Sequence, residues 1–205
     1  MKPKKPGALK KVLAQNTFNI LICVLRRRAN ALGRNGIMAI IKSAVVKIIN
    51  EQIKNELYSA YLYLSMSAWC ESENLKGSAA WLKAQAKEET THAERFYNYL
   101  FDRAAKPELL AIDKPPANFR SLLAIFEAAY EHENKVTKMI ENILAVAQKE
   151  DDQATISMLK WFIDEQVEEE KQTLEIVCQL KMIGDKSTGA LFMLDHQLGK
   201  RGKKE

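Results

Sequence analysis

KEETTHAERF, residues 87–96, lies inside an apolar helical pattern and yet puts Glu89 and His92 on the greasy side of that helix. Successive helical residues turn by about 100°, so Leu82, Ala93, Phe96 and Leu100 all fall within about 40° of Glu89. Glu89 is at the centre of the stripe. His92 follows three residues later, the spacing at which two helical side chains can reach a common point.

The same arithmetic applied along the chain finds three more such positions. Ile49, Ile53 and Ala60 surround Glu56, with Tyr63 two turns further along the same face. Leu122, Phe126, Ala129, Ile140 and Leu144 surround Glu133. Met158, Phe162, Ile176 and Leu180 surround Glu169, with Gln166 three residues before it. One glutamate on an apolar face is usually satisfied by a nearby Arg, Lys, Tyr or water. Four are another matter, because no Lys or Arg lies near the middle of these stripes. Two unit charges about 4 Å apart repel by roughly 4 kcal/mol at an effective dielectric near 20. Four gathered carboxylates must therefore protonate, separate the helices or bind cations. Carboxylates with one imidazole and no thiolate suit iron or manganese, and leave positions for water or dioxygen. Structural zinc prefers a closed set of Cys and His. The residues thus point to a di-metal site within a helical bundle.

The organisation of the chain agrees with a bundle. Helices are predicted at 42–71, 77–104, 119–149 and 153–183, separated by ENLKGS, KPELLAIDKPPANFRS and KEDDQ. Short links make neighbours antiparallel, whereas the long middle connection can run back along a helix. The expected order is up, down, long crossover, down, up. The apolar segment TGALFMLDHQL is too short for a bundle member and is expected to pack elsewhere, for instance on another subunit.

Charge is divided unevenly along the 205 residues. The formal total is +5, but residues 1–50 hold eleven Lys or Arg and no Asp or Glu, which leaves −6 for residues 51–205. Residues 1–37 therefore read as a basic extension, expected to be disordered or translated ahead of a natural start at Met38. A secretory signal is disfavoured by Arg26, Arg27 and Arg28 after the apolar FNILICVL. A basic arm for nucleic acid or anionic lipid is a further, weaker reading. No apolar run approaches the ~18 to 20 residues that span a bilayer. Three scattered cysteines, Cys23, Cys70 and Cys178, form no framework and fit a reducing cytoplasm.

From about Met38 to Arg201 the chain resembles the ferritins, most closely the non-haem prokaryotic ferritins. The resemblance is carried by INEQIKNELYSAYLYLSMSAW, KEETTHAERFYNYL, YEHEN and FIDEQVEEEKQ. Inward carboxylates with Glu-x-x-His are an established feature of ferritin-like bundles. The resemblance implies an all-α, ferritin-like four-helix bundle over residues 38–201, with a long crossover between helices 2 and 3 and a short fifth C-terminal helix over 187–198. It further implies that Glu56, Glu89 and His92 bind a first iron, and Glu89, Glu133 and Glu169 a second with Gln166 beside it. Tyr63 matches the family's site tyrosine, and Glu88, Glu165 and Glu168 match a third iron site toward the cavity. Bacterioferritins carry a second Glu-x-x-His and a haem-ligating methionine, where this chain has Gln166-x-x-Glu169 and Thr90; haem is not expected.

The function so implied is storage: Fe(II) is oxidised by dioxygen or hydrogen peroxide, and ferric mineral is held inside a homo-oligomeric shell of twenty-four subunits. Two other classes stay open on sequence alone. One is a di-iron oxidase or oxygenase with an organic substrate. The other is a non-catalytic helical nucleic-acid-binding protein that uses the basic arm, with the carboxylates merely buried and protonated. His132 lies about 100° from the Glu133 stripe centre and is expected to be a solvated side chain rather than a ligand.

Overall fold

The computed structural model describes residues 41–184 and 187–201. The basic extension at 1–37 lies outside them. Five α-helices account for the described secondary structure: α1 Ser43–Ser72, α2 Lys76–Asp102, α3 Leu122–Lys149, α4 Gln153–Ile183 and α5 Thr188–Leu198. The predicted helices are all present. The largest difference is the start of α3, where Ser121 accepts the Ala124 amide at 3.1 Å as an N-cap. Phe119, expected inside α3, instead lies in the crossover with its ring edge-on to Trp69.

The crossover climbs the outside of α1. Asn50 Oδ1 accepts the Glu108 amide at 3.0 Å, Ser65 Oγ donates to the Pro116 carbonyl at 2.6 Å, and Phe119 reaches Trp69. At 1.5 Å per residue these anchors on α1 span about 28 Å, roughly two thirds of the helix. That climb returns the chain to the far end, so α3 runs antiparallel to α1: Asn55 meets Met139, and Ser59 meets His132. Gln85 meets Glu169 and Tyr99 meets Thr155, which sets α2 against α4 in the same sense. The up, down, crossover, down, up order holds.

The turns satisfy their backbone groups locally. Asp152 caps α4 through the Thr155 amide at 3.1 Å and also receives Arg103 from the end of α2, at 2.8 and 3.1 Å. Gly184 ends α4 at φ 61°, in the left-handed region where a residue without Cβ is unstrained. The N-terminus of α2 has no cap of its own. Asp195 of α5 supplies it, accepting from the Gly77 amide at 2.9 Å and from the Ser78 amide and hydroxyl at 2.7 Å each. A Cβ on Gly77 would lie 1.6 Å from the Asp195 carbonyl oxygen, so α5 approaches this closely only because residue 77 is glycine.

α5 therefore packs on its own chain, burying Leu194 and Leu198, while Phe192 and Met193 on its other face remain 73% and 72% exposed. The expectation that this segment packs elsewhere, for instance on another subunit, is corrected for the buried face, which lies on the chain's own α2. Two apolar clusters fill the bundle. One joins Leu62, Met66, Leu82, Ile125, Phe126 and Leu180. The other joins Ile49, Ile53, Phe96, Val136, Ile140 and Phe162. Between them lies a layer of buried polar groups.

Candidate metal centre

That layer contains the four stripe glutamates. Glu56, Glu89, Glu133 and Glu169 are all buried, as are His92, Tyr63 and Gln166. Each helix delivers its carboxylate for the same reason: the residue is mid-stripe, and apolar neighbours one and two turns away carry it inward when they pack. No Lys or Arg hydrogen-bonds to any of the four among the described residues. Glu56, Glu133 and Glu169 have neutral partners. Gln52 Nε2 donates to Glu56 at 2.9 Å, Gln85 donates to Glu169, Tyr63 donates through its hydroxyl to Glu133, and Gln166 Nε2 reaches Glu133 Oε2 at 3.3 Å.

Ligand atoms of Glu56, Glu89 and His92 all lie within 4.8 Å of one another, and so do those of His92, Glu165 and Glu169. His92 Nδ1 is 3.6 Å from Glu89 Oε2. Glu133 belongs to neither convergent group; it is turned to Tyr63 and Gln166. Of the outer residues, half-buried Glu165 joins His92 and Glu169, but Glu88 pairs with Arg201 at 2.9 Å and Glu168 accepts from Gln172 at 3.3 Å. Glu88, Glu165 and Glu168 are neighbours in charge without sharing one point.

Electrostatics explains why this layer is cation-seeking. Burial pushes the Glu56 carboxyl up to about 7, with the Gln52 hydrogen bond acting against it. Burial and then repulsion from Glu133 push Glu169 up to about 8. Glu89 is raised well above the usual carboxyl range by burial, then by Glu133 and Glu56; Glu133 is raised by burial. His92 is pushed down to about 4 by burial and then by Arg95, so its imidazole is neutral and its lone pair available near pH 7. Tyr63 is held above its usual value by burial and the nearby carboxylates, and stays a hydrogen-bond donor. Glu56 Oε2 and Glu89 Oε1 are buried with no hydrogen-bond partner. Unpartnered buried acceptors beside a neutral imidazole fit a bound cation, which would satisfy the oxygens and displace their protons.

Two residues of the layer escaped the sequence reading. Gln52 and Gln85 are each one turn before a stripe glutamate, at i−4, and both are buried. That spacing was the available signal. Trp161, a packing residue as its type suggests, lies edge-on to His92 with centroids 5.5 Å apart, under the Arg95 guanidinium 4.0 Å away. It braces the imidazole. His132 is outside both convergent groups and only partly solvated: it is half-buried, 2.7 Å from Ser59 Oγ, with its ring beside Tyr58.

Known proteins resemble this chain along most of its length. The ferritin-like domain model matches residues 46–183. The bacterial non-heme ferritin of Campylobacter jejuni is 42% identical over 154 residues, covering 75% of this chain and 92% of that protein. The one from Staphylococcus aureus is 38% identical over 157 residues, covering 77% and 94%. An open-pore ferritin from the archaeon Archaeoglobus fulgidus superposes with a TM-score of 0.78 at 43% identity, covering 80% of this chain and 99% of its own. Four inward glutamates on a crossover bundle, with identity sustained across nearly the full length of these relatives, make the chain a member of the ferritin family.

Proposed function

We propose that this chain is the subunit of an iron-storage shell and a ferroxidase, oxidising Fe(II) at the buried layer and passing Fe(III) to a ferric mineral inside a homo-oligomer, a twenty-four-subunit cage by family likeness. The observation that carries this reading is the convergence of Glu56, Glu89 and neutral His92 around carboxylate oxygens that no protein group satisfies. Glu56, Glu89 and His92 would hold one Fe(II). Glu89, Glu133 and Glu169 would hold a second beside Gln166, once Glu133 turns from its present partners. Glu165, with Glu88 and Glu168, would receive iron on the way out.

The protein's own groups supply the rest. Fe(II) binding expels the protons that burial keeps on the glutamates. Two Fe(II) then give up one electron each, and dioxygen takes both with two protons to become hydrogen peroxide. Several anionic oxygens favour the higher metal charge and so favour oxidation. Tyr63, held neutral, donates its O–H to Glu133 and orients it. Organic-substrate oxidation would need an apolar chamber at the centre, whereas Tyr63, Gln85 and Gln166 surround the glutamates there with hydrogen-bonding groups.

Adding Fe(II) aerobically to the purified full chain, while following ferric absorbance and particle size, tests the reading. Soluble iron retained far beyond two or three ions per chain is expected. Oxidation followed by precipitation outside the protein, or no oxidation above the buffer rate, would overturn it.

A further inference from the structure

Residue 201 lies beyond the matched domain residues 46–183, and it ends the described chain on the outer acidic cluster. Arg201 Nη2 is 2.9 Å from Glu88 Oε2, and its guanidinium carbon sits 4.5 Å over the Trp81 ring. Its Nη1 is buried without a hydrogen-bond partner while the side chain as a whole is 24% exposed, so the guanidinium is drawn only partly out of water. What holds it is α5. Asp195 clips α5 to the start of α2 through Gly77 and Ser78, and the remaining turn and a half carries residue 201 along α2 to Glu88.

We propose that Arg201 is a tethered counter-cation that competes with metal for the outer cluster of Glu88, Glu165 and Glu168. This rests on the reading of that cluster as an iron-receiving site. The chemistry is direct: a guanidinium and a divalent cation seek the same carboxylate, and Glu88 cannot offer Oε2 to both. With Arg201 engaged, Glu88 is withdrawn and Glu165 faces His92 and Glu169 instead. With Arg201 displaced, Glu88 is free to join Glu165. Occupancy of the outer cluster is thereby tied to the docking of α5, the helix whose opposite face is exposed. Because the contact is partly exposed and stacked on an indole, it is strong enough to set affinity and weak enough to yield.

The test titrates the metal-free full-length protein with Zn(II), a redox-inert probe, by calorimetry. Wild type, Arg201→Ala, Arg201→Lys and Glu88→Gln are compared, with oligomeric size checked for each. Arg201→Ala is expected to tighten the weakest class of sites by roughly three- to tenfold, with the tight classes unchanged. Arg201→Lys, which keeps the charge but loses the planar stack, is expected to fall between. Tryptophan emission gives a second readout: wild type should change as the weak class fills, and the change should vanish in Arg201→Ala and in Trp81→Phe. If Arg201→Ala leaves the weak class unchanged while Glu88→Gln abolishes it, the outer site stands and the competition is refuted. If neither wild type nor Arg201→Ala has a weak class, the reading of the outer cluster fails, and the proposal with it.

Discussion

Glu169→Gln should stabilise the metal-free protein and weaken the metal-loaded one, because the same carboxylate is a buried liability without a cation and a ligand with one. Glu169 is 2% exposed, and its carboxyl is raised to about 8 by burial and then by Glu133. A group whose folded pKa lies above its unfolded value contributes stability that is complete below the unfolded value and is lost as pH climbs through the folded one. With an unfolded value near 4.5, the loss at about pH 8 is on the order of 4 kcal/mol, and at about pH 5.5 on the order of 1 kcal/mol. Glutamine keeps the shape and still accepts from Gln85, without titrating. The gap between variant and wild type should therefore open from about 1 to about 4 kcal/mol across that range. Taking the difference cancels groups remote from Glu169, such as His132, whose shift comes from burial and then Lys135. Denaturant unfolding of chelator-stripped protein at the two pH values measures it. Repeating the experiment with excess Zn(II) should reverse the order, since a ligand of the folded state adds RT ln(1 + [L]/Kd) and the variant has lost a donor. A variant no more stable than wild type at pH 8, or a gap that does not widen with pH, would refute the reasoning that burial and charge repulsion dominate this layer.

Tyr63→Phe removes only the hydroxyl that donates to Glu133 from a fully buried ring. It should cost about 1 to 3 kcal/mol of metal-free stability and slow Fe(II) oxidation while leaving the tight metal stoichiometry unchanged, as stopped-flow absorbance and calorimetry would show. Asp152→Asn breaks the two-pronged contact with Arg103 but can still cap α4. The Asp152 carboxyl is held below its ordinary 3.8, against the effect of burial, by Arg103 and the Thr155 amide. The loss, roughly 1 to 3 kcal/mol, should therefore be full above pH 4 and shrink as pH falls below it, which acid unfolding curves of the two proteins would reveal.

Much of the site could be read from the chain because each element of it is a local fact. Whether Glu56, Glu89, Glu133 or Glu169 is mid-stripe depends only on neighbours within three turns, and those neighbours are what packing buries. Gln52 and Gln85, one turn before Glu56 and Glu89, are equally local in position, but an uncharged amide on an apolar face raises no repulsion that would single it out. Partner choice was a different matter. That Tyr63 would serve Glu133, that His132 would meet Ser59, and that Trp161 would brace His92 are contacts between helices, set by register across the bundle.

The sequence alone determined four helices, their order, the long return between the second and third, and the carboxylate at the middle of each apolar face. Periodicity and connection length suffice for these, since both act over distances shorter than a helix. The tertiary structure decided how the carboxylates divide: Glu56 and Glu89 with His92, Glu133 with Tyr63 and Gln166, Glu169 with Gln85, Glu88 with Arg201. Residues 88 and 201 are far apart in the chain, and no local pattern joins them. They meet because Gly77 lacks a Cβ and lets Asp195 close on the end of α2, which is a consequence of packing alone.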